Sequence, residues 1–565
     1  MQTKTGMTLL PLSLRGYHKS WIRLDVVAGL TLAAVAIPET MGYATIAEMP
    51  VVTGLYTVIF PTLMFALLGA SKLLVVGADS ATAALMAAGL TGLGVAGLTP
   101  YSNEWVAWAG LVALVTGALL VLARLLRLGF IGDFLSASVL IGFLTGVGVQ
   151  VLTGQIPGML GVTKGTGNWF EQQWTWITEI PDANWYTVGF AVLTLACIYG
   201  FKQWLPKIPG ALVAIILSIA ISSAIDAKSE GVSVIGAVQG GFPPIGLPKG
   251  VTWSDATEVL ALSLSCLVLI IAQSAATSRS FAMKHGEKVD VNRDIVGLSA
   301  ANVAAGLTGT FVVNGSPTKT QILDEDQGRT QLANMTMSAI VLLFVLFFTS
   351  VLENMPNAVL AAIVFTIGIS LIDALGLKVV YRERQSEFVV AIVTAVVVCC
   401  VGVEQGIILA IILSIIDLIR RQYSPKRFVV GVERDGVRAY ESAEPGSQSA
   451  PGLLIFRYDA DLFYANANRM VEDVQRLVTA APDPVRWLVL DCSVMSDADF
   501  TAGRALNSLV EFVHDHGAVL SLAEADTSLI DSLKAYGVIQ RLDPQHVYPT
   551  LADAIEAFRS STTSG

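Results

Sequence analysis

The chain has 565 residues, of which 53% are hydrophobic and 14% charged, with a mean hydropathy of +0.64 and a net charge of −10. This composition excludes a soluble enzyme, and no nucleic-acid partner is expected. From Gly431 onward there are 20 acidic and 10 basic residues, so the tail carries the whole excess and the rest is balanced.

Residues 1–24 have no cleavable signal-peptide layout and read as a cytoplasmic segment, with Arg15, His18, Lys19 and Arg23 leading straight into a first span. A transmembrane domain is expected over residues 25–425. Its fourteen hydrophobic segments lie near 25–45, 51–69, 79–97, 105–125, 132–154, 184–203, 208–225, 256–280, 291–310, 317–327, 331–352, 357–376, 386–402 and 404–421. Basic residues cluster after the fourth span (Arg124, Arg127), sixth (Lys202, Lys207), eighth (Arg279, Lys284, Lys288, Arg293), twelfth (Lys378, Arg382, Arg384) and fourteenth (Arg420, Arg421, Lys426, Arg427). All follow even-numbered spans, so the positive-inside rule puts both termini in the cytoplasm and the loops near 155–183 and 226–255 outside.

The third and tenth segments are short. Each follows extended apolar peptide and a glycine-containing turn, Val75–Thr82 in one case and Val312–Thr320 in the other. This pattern predicts half-helices whose N-termini meet inside the membrane. Unpaired N–H groups and the helix dipole then form an anion site with few cationic side chains. The patches are offset by about 237 residues, from Asp79 to Ser316, and seven spans per half is odd, so the second half enters the membrane inverted.

Beyond the spans, residues 426–560 read as a compact cytoplasmic α/β domain and 561–565 as a disordered tail. Phe428–Val432 and Val437–Tyr440 flank an Asp435–Gly436 turn, and Leu453–Arg457, Trp487–Asp491 and Ala518–Leu522 form buried strands. Helical patterns fill Tyr464–Thr479, Thr501–His514 and Leu529–Tyr536. Cys197, Cys266, Cys399, Cys400 and Cys492 show no metal-ligand or disulfide spacing. No Walker loop, His-Glu metal motif or nucleophile triad occurs, so neither enzyme activity nor a cofactor or metal is expected.

Glu39 lies deep in the first span beside the helix-disrupting Pro38. An unpaired carboxylate there costs several kcal/mol, which marks a proton site whose neutralisation removes repulsion toward an anion; the bland reading is a neutral carboxyl bonding loosened backbone. Lys319, in the first turn of the tenth helix, either supplies positive charge to the anion or pairs with Asp324, Glu325 or Asp326. Ser316, Thr318 and Thr320 either cap that helix or donate to substrate, while Asp79 and Ser80 suit capping of the third helix, with Asp79 turned away from the anion. Gln273 in the eighth span is a substrate donor or a helix–helix hydrogen bond. With the backbone at Ala78 and Gly315, these residues are the candidate binding set, and Glu39 is the candidate for proton coupling. Gly142, Gly146 and Gly148 allow close helix packing. Asp497–Thr501 suits a helix cap.

Asp25–Ala44, Gly54-Leu55-Tyr56 and Leu67–Ser71 resemble the opening signature of the SulP (sulfate permease) anion transporters. Ser316–Thr320 is similar to that family's tenth-helix motif, and Arg329-Thr330-Gln331 to its downstream element. Pro451–Asn466 and Leu488–Ala502 resemble the STAS domain that ends most members. The resemblance implies two inverted seven-helix repeats forming core and gate domains, elevator-type alternating access, and homodimers that use the STAS domains. It implies transport of sulfate, bicarbonate, dicarboxylate or chloride, and a proton-coupling role for Glu39. Lys319 stands where the family has Arg, which trades a bidentate fork for a point charge. Gln273 replaces an acid found in many relatives and argues against sodium coupling. Phe500 takes the place of the serine phosphorylated in soluble STAS proteins, leaving Thr501 as the neighbouring acceptor.

The expectation is a secondary transporter of the inner (plasma) membrane, in contact with lipid and moving a small anion, sulfate or a C4-dicarboxylate, by proton symport. An anion exchanger, including one for bicarbonate, an uncoupled anion channel, and a membrane anion sensor acting through the STAS domain are the alternatives.

Overall fold

The computed structural model describes residues 17–563 apart from 96, 128–135, 166–167, 206–207, 239, 253, 433–438 and 543. The chain divides into two compact units, Met1–Ser414 and Ile415–Gly565. Arg15, Lys207 and the predicted Asp435–Gly436 turn lie outside the described residues.

The first unit begins with α1 (Ile22–Ile46), α2 (Val51–Thr57), α3 (Phe60–Leu68), strand β1 (Val75–Gly77) and α4 (Ser80–Gly92). It continues with α5 (Asn103–Leu125), α6 (Ala137–Leu160), α7 (Trp169–Thr178), α8 (Trp185–Trp204), α9 (Gly210–Ala224), α10 (Asp255–Glu258) and α11 (Leu260–Lys284). There follow α12 (Val291–Leu307), strand β2 (Asn314–Ser316), α13 (Pro317–Glu325), α14 (Leu332–Phe347), α15 (Asn357–Leu371), α16 (Ala374–Glu383), α17 (Gln385–Cys400) and α18 (Val403–Tyr423), which runs into the second unit. Among the described residues seven stretches are long and apolar enough to cross a membrane by length and composition, including Lys19–Ile46, Val51–Leu68 and Leu260–Lys284.

Each predicted segment finds a helix or helix pair. Two departures stand out. The second span breaks at Val58–Ile59 into α2 and α3, and the loop expected near 155–183 contains the ten-residue α7. The half-helices are as short as expected: α4 has 13 residues and α13 has 9. At 1.5 Å per residue they reach about 20 and 14 Å, well short of the roughly 30 Å hydrocarbon core.

β1 and β2 supply what precedes them. They pair antiparallel, Val75 with Ser316, Val76 with Gly315 and Gly77 with Asn314. Non-helical backbone at membrane depth survives only where its polar groups find partners within the protein, and here side chains provide them. Thr62 Oγ1 donates to the Val76 carbonyl, and Thr57 Oγ1 accepts from the Ala78 N–H at 3.2 Å. Gln331 donates to the Ser71 and Leu74 carbonyls at 3.0 and 2.8 Å. Asn302, fully buried in α12, acts as a strand neighbour: Oδ1 accepts from the Val313 N–H and Nδ2 donates to the Val313 carbonyl, both at 3.0 Å.

Small residues set the helix spacing. A Cβ on Gly142 would stand 2.2 Å from the Ala391 carbonyl oxygen, so α6 and α17 touch along their backbones.

In the second unit, strands β3 (Arg427–Val430), β4 (Tyr440–Ser442), β5 (Leu453–Tyr458), β6 (Trp487–Asp491), β7 (Val519–Ala523) and β8 (Val547–Tyr548) form one sheet, ordered β4-β3-β5-β6-β7-β8. β5 through β8 are parallel and β3 is antiparallel to both neighbours. The parallel strands are apolar at consecutive positions because both faces are covered. Leu454, Phe456, Leu488 and Leu490 pack with α19 (Ala467–Thr479), α20 (Phe500–Asp515) and α21 (Thr527–Ala535). Leu453, Ile455 and Val489 pack on the other face with Leu551, Ile555 and Phe558, from the helix that follows the short α22 (Val538–Arg541). That last helix, α23 (Leu551–Thr563), takes in residues 561–563 of the tail expected to be disordered: apolar residues along it reach the sheet and carry its helical ladder to Thr563. Ser564 and Gly565 lie outside the described residues.

Candidate functional site

Because the strands run antiparallel, the chain leaves them in opposite directions, and the first turns of α4 and α13 come within reach of one side chain. Lys319, in the first turn of α13, is fully buried. Its Nζ donates to the Ala78 carbonyl at 2.9 Å, lies 3.3 Å from Glu39 Oε2 and sits 4.7 Å from the centre of the Tyr43 ring. Three elements thus converge on one cation: α1 through Glu39 and Tyr43, the α4 approach through Ala78, and α13 itself. Asp324 does not pair with Lys319; it accepts from Lys284 Nζ and contacts His285 Nε2 at the far end of α13.

Glu39 is the half-open member of the pair, with its side chain 16% exposed. Oε1 accepts from the Tyr43 hydroxyl at 2.6 Å, while Oε2 accepts no hydrogen bond among the described residues. Pro38 brings no N–H to this turn of α1, and Thr40, next along, turns back to donate to the Ala36 carbonyl at 2.7 Å. The carboxyl therefore turns its buried Oε2 toward Lys319 and its Oε1 toward the Tyr43 hydroxyl.

Behind this pair runs a chain of neutral amides. Asp79 caps α4, Oδ2 accepting from the Ala81 N–H at 3.2 Å, and Oδ1 accepts from Gln273 Nε2 at 3.3 Å. Gln273 Oε1 accepts from Asn314 Nδ2 at 2.9 Å, and Asn314 Oδ1 accepts from Ser274 Oγ at 2.8 Å. The Gly315 N–H donates to Ser274 Oγ at 3.1 Å, and a Cβ at Gly315 would meet that oxygen at 2.8 Å. Gln273 thus spends both ends of its amide bracing α4 against β2.

The hydroxyls divide by exposure. Ser316 caps α13, accepting from the Lys319 N–H at 3.4 Å, and shares a 3.1 Å contact with Thr318. Thr320 is buried, donates to the Ser316 carbonyl at 2.6 Å and accepts from the Val75 N–H at 3.1 Å, so it stitches helix to strand. Ser80 is buried at the head of α4, whereas Thr318 is exposed in the first turn of α13. Tyr43, Ser274 and Asn314 were not singled out from sequence; the turn pattern around Asn314 was the one available signal.

On the face opposite the basic clusters, a cavity of about 940 Å³ lies among the end of α1, the starts of α2, α5 and α15, and the end of α6. Thr45, Thr53, Tyr56, Gln155 and Asn357 line it, and none of its described lining residues is charged. Among the described residues no group of three or more His, Cys, Asp or Glu is arranged to hold a metal ion.

A sequence profile of the sulfate permease family matches residues 22–394, and one of the STAS domain matches residues 445–554. The chain is 31% identical over 559 residues to a probable sulfate transporter of Mycobacterium tuberculosis, covering 99% of each protein. It is 26% identical over 571 residues to sulfate transporter 1.2 of Arabidopsis thaliana, covering 96% of this chain and 86% of the relative. In fold it resembles the murine solute carrier 26 family member A9 anion transporter in its inward-facing state, with TM-score 0.87, 22% identity, and coverage of 99% and 96% of the two chains. The transmembrane domain of the cyanobacterial bicarbonate transporter BicA aligns with TM-score 0.60 and 22% identity, covering 70% of this chain and 98% of that domain. The fold is that of fourteen spans in two inverted seven-helix repeats, with half-helices at the third and tenth and a C-terminal STAS domain. The chain belongs to the sulfate permease family of membrane transporters.

Proposed function

We propose that the chain carries a small anion, sulfate or a C4-dicarboxylate, across the plasma membrane by proton symport, with alternating access of elevator type. One observation supports this reading above the rest: the buried ammonium of Lys319, set at two converging helix N-termini, has the Glu39 carboxylate as its counter-ion. An anion that touches Lys319 must share space with that carboxylate. Two like charges about 4 Å apart repel by about 4 kcal/mol at an effective dielectric constant near 20, which is roughly three orders of magnitude in affinity. Protonating Glu39 removes the repulsion and frees Lys319 at once. Anion and proton then bind together.

The remaining candidates take graded roles. Ser80 and Thr318, with the first-turn N–H groups of α4 and α13, would contact the anion. Gln273, Thr320, Gly315 and the Asp79 cap would hold the two half-helices in register. The names of the sequence relatives favour sulfate among the anions that such a site accepts.

The test is uptake of radiolabelled sulfate and fumarate into proteoliposomes, with and without an inward proton gradient. The gradient should accelerate uptake by the unsubstituted protein and leave the Glu39→Gln variant unchanged. Acceleration that persists in Glu39→Gln, or uptake that requires an internal counter-anion and moves no proton, would overturn symport through this residue.

A further inference from the structure

Helix α7 sits in a segment that sequence patterns read as loop, and it is firmly built. Asn168 and Glu171 form a reciprocal cap at its start: the Glu171 N–H donates to Asn168 Oδ1 and the Asn168 N–H donates to the Glu171 carboxylate, both at 3.0 Å. Just past its end, Glu179 accepts from the Thr163 N–H at 2.9 Å and from the Thr163 hydroxyl, which folds the approach to the helix back onto its exit. One side rests on the first unit's long helices: Trp169 Nε1 donates to Thr153 Oγ1 of α6 at 3.1 Å, and α7 also packs against α17.

The other side is exposed, with the Phe170 ring edge-on to that of the neighbouring Trp169. Phe170, Trp174 and Ile177, spaced i, i+4 and i+7, are 61%, 70% and 45% exposed, and Ile180 continues the stripe. This spacing places them on one face of a helix. A few residues on, Trp185 and Tyr186 open α8 and stand 81% and 50% exposed. α8 is long and apolar enough to cross a membrane, so its outward aromatic residues belong to the lipid-facing surface, and only a few residues of chain separate them from the α7 stripe. Tryptophan and tyrosine concentrate where a bilayer meets water, and a short helix with an apolar face lies in that plane.

We propose that α7 is an interfacial anchor whose Phe170, Trp174 and Ile177 face inserts into the leaflet opposite the basic clusters, tying the end of α6 to the membrane surface. The occupant of this face is phospholipid, at the depth of the boundary between headgroup and acyl chain.

The test uses the full chain in phospholipid nanodiscs. A nitroxide is attached at Phe170→Cys or Ile177→Cys, with Asp182→Cys as the aqueous control and the label taken up by the unsubstituted protein subtracted. All three side chains are exposed, so the labels leave the packed interior intact. Collision with dissolved oxygen should exceed collision with a water-soluble nickel chelate several-fold at 170 and 177, with the order reversed at 182. Nickel access dominating at 170 and 177 would place the face in water and overturn the proposal. Spin–spin broadening that disappears on dilution with unlabelled protein would assign the face to a second copy of the chain and overturn it equally.

Discussion

Glu39 and Lys319 are unequal partners, and substitution should reveal it. Lys319 is fully enclosed, whereas Glu39 keeps part of its side chain open. Removing one member of a buried pair strands the other, at about 3–5 kcal/mol for a fully enclosed charge. Glu39→Gln leaves the enclosed ammonium without its counter-charge and should cost about 3 kcal/mol, the lower end, because the site is partly open. Lys319→Met leaves a carboxyl that can take up a proton and should cost less. Reversible denaturation in mixed micelles gives both values; equal losses would show that the pair shares its burial evenly. Added sulfate should recover part of the Glu39→Gln loss, since an anion can replace the missing carboxylate. Sequence alone exposed each residue and its sign, because an acid and a base in apolar segments are visible by themselves. It could not pair them, since spacing along the chain favours Asp324, Glu325 and Asp326 as neighbours of Lys319, and only the fold carries α1 past the head of α13.

At the scale of elements, the site depends on extended peptide kept in register inside an apolar interior. Asn302 presents amide groups to Val313 as a neighbouring strand would. Asn302→Leu keeps similar bulk but leaves both Val313 backbone groups without partners, and stranded buried groups cost about 1–3 kcal/mol each. Thermal unfolding in detergent should show this destabilisation, and anion affinity should fall with it as β2 and the start of α13 lose their seat. Unchanged affinity would mean that β1 alone positions the half-helix. The half-helices were readable from sequence because their signals are local: extended apolar residues, a glycine turn, then small hydroxyl side chains. α7 was hidden because Glu171, Gln172, Gln173 and Thr175 interrupt its aromatic residues and leave no long apolar run, and its fixed ends come from Thr163 and Asn168, whose partners become evident only in three dimensions.

As a whole, the molecule joins two units with different solvents. The second closes apolar clusters over both faces of its sheet and holds the acidic excess. Residues 424–565 expressed alone should therefore be soluble and unfold in urea as one cooperative transition, monitored by circular dichroism; a gradual, non-cooperative loss would show that this unit needs the membrane portion to fold. The first unit holds a different kind of balance. In the proposed symport cycle, Lys319 has Glu39 beside it when no cargo is aboard, so this pair presents no net charge to an electric field as the vacant carrier reorients. A protonated Glu39, Lys319 and a divalent oxyanion sum to one negative charge. Membrane voltage should therefore act more strongly on the loaded passage than on the vacant return, so that clamping proteoliposomes at opposite potentials changes net sulfate influx.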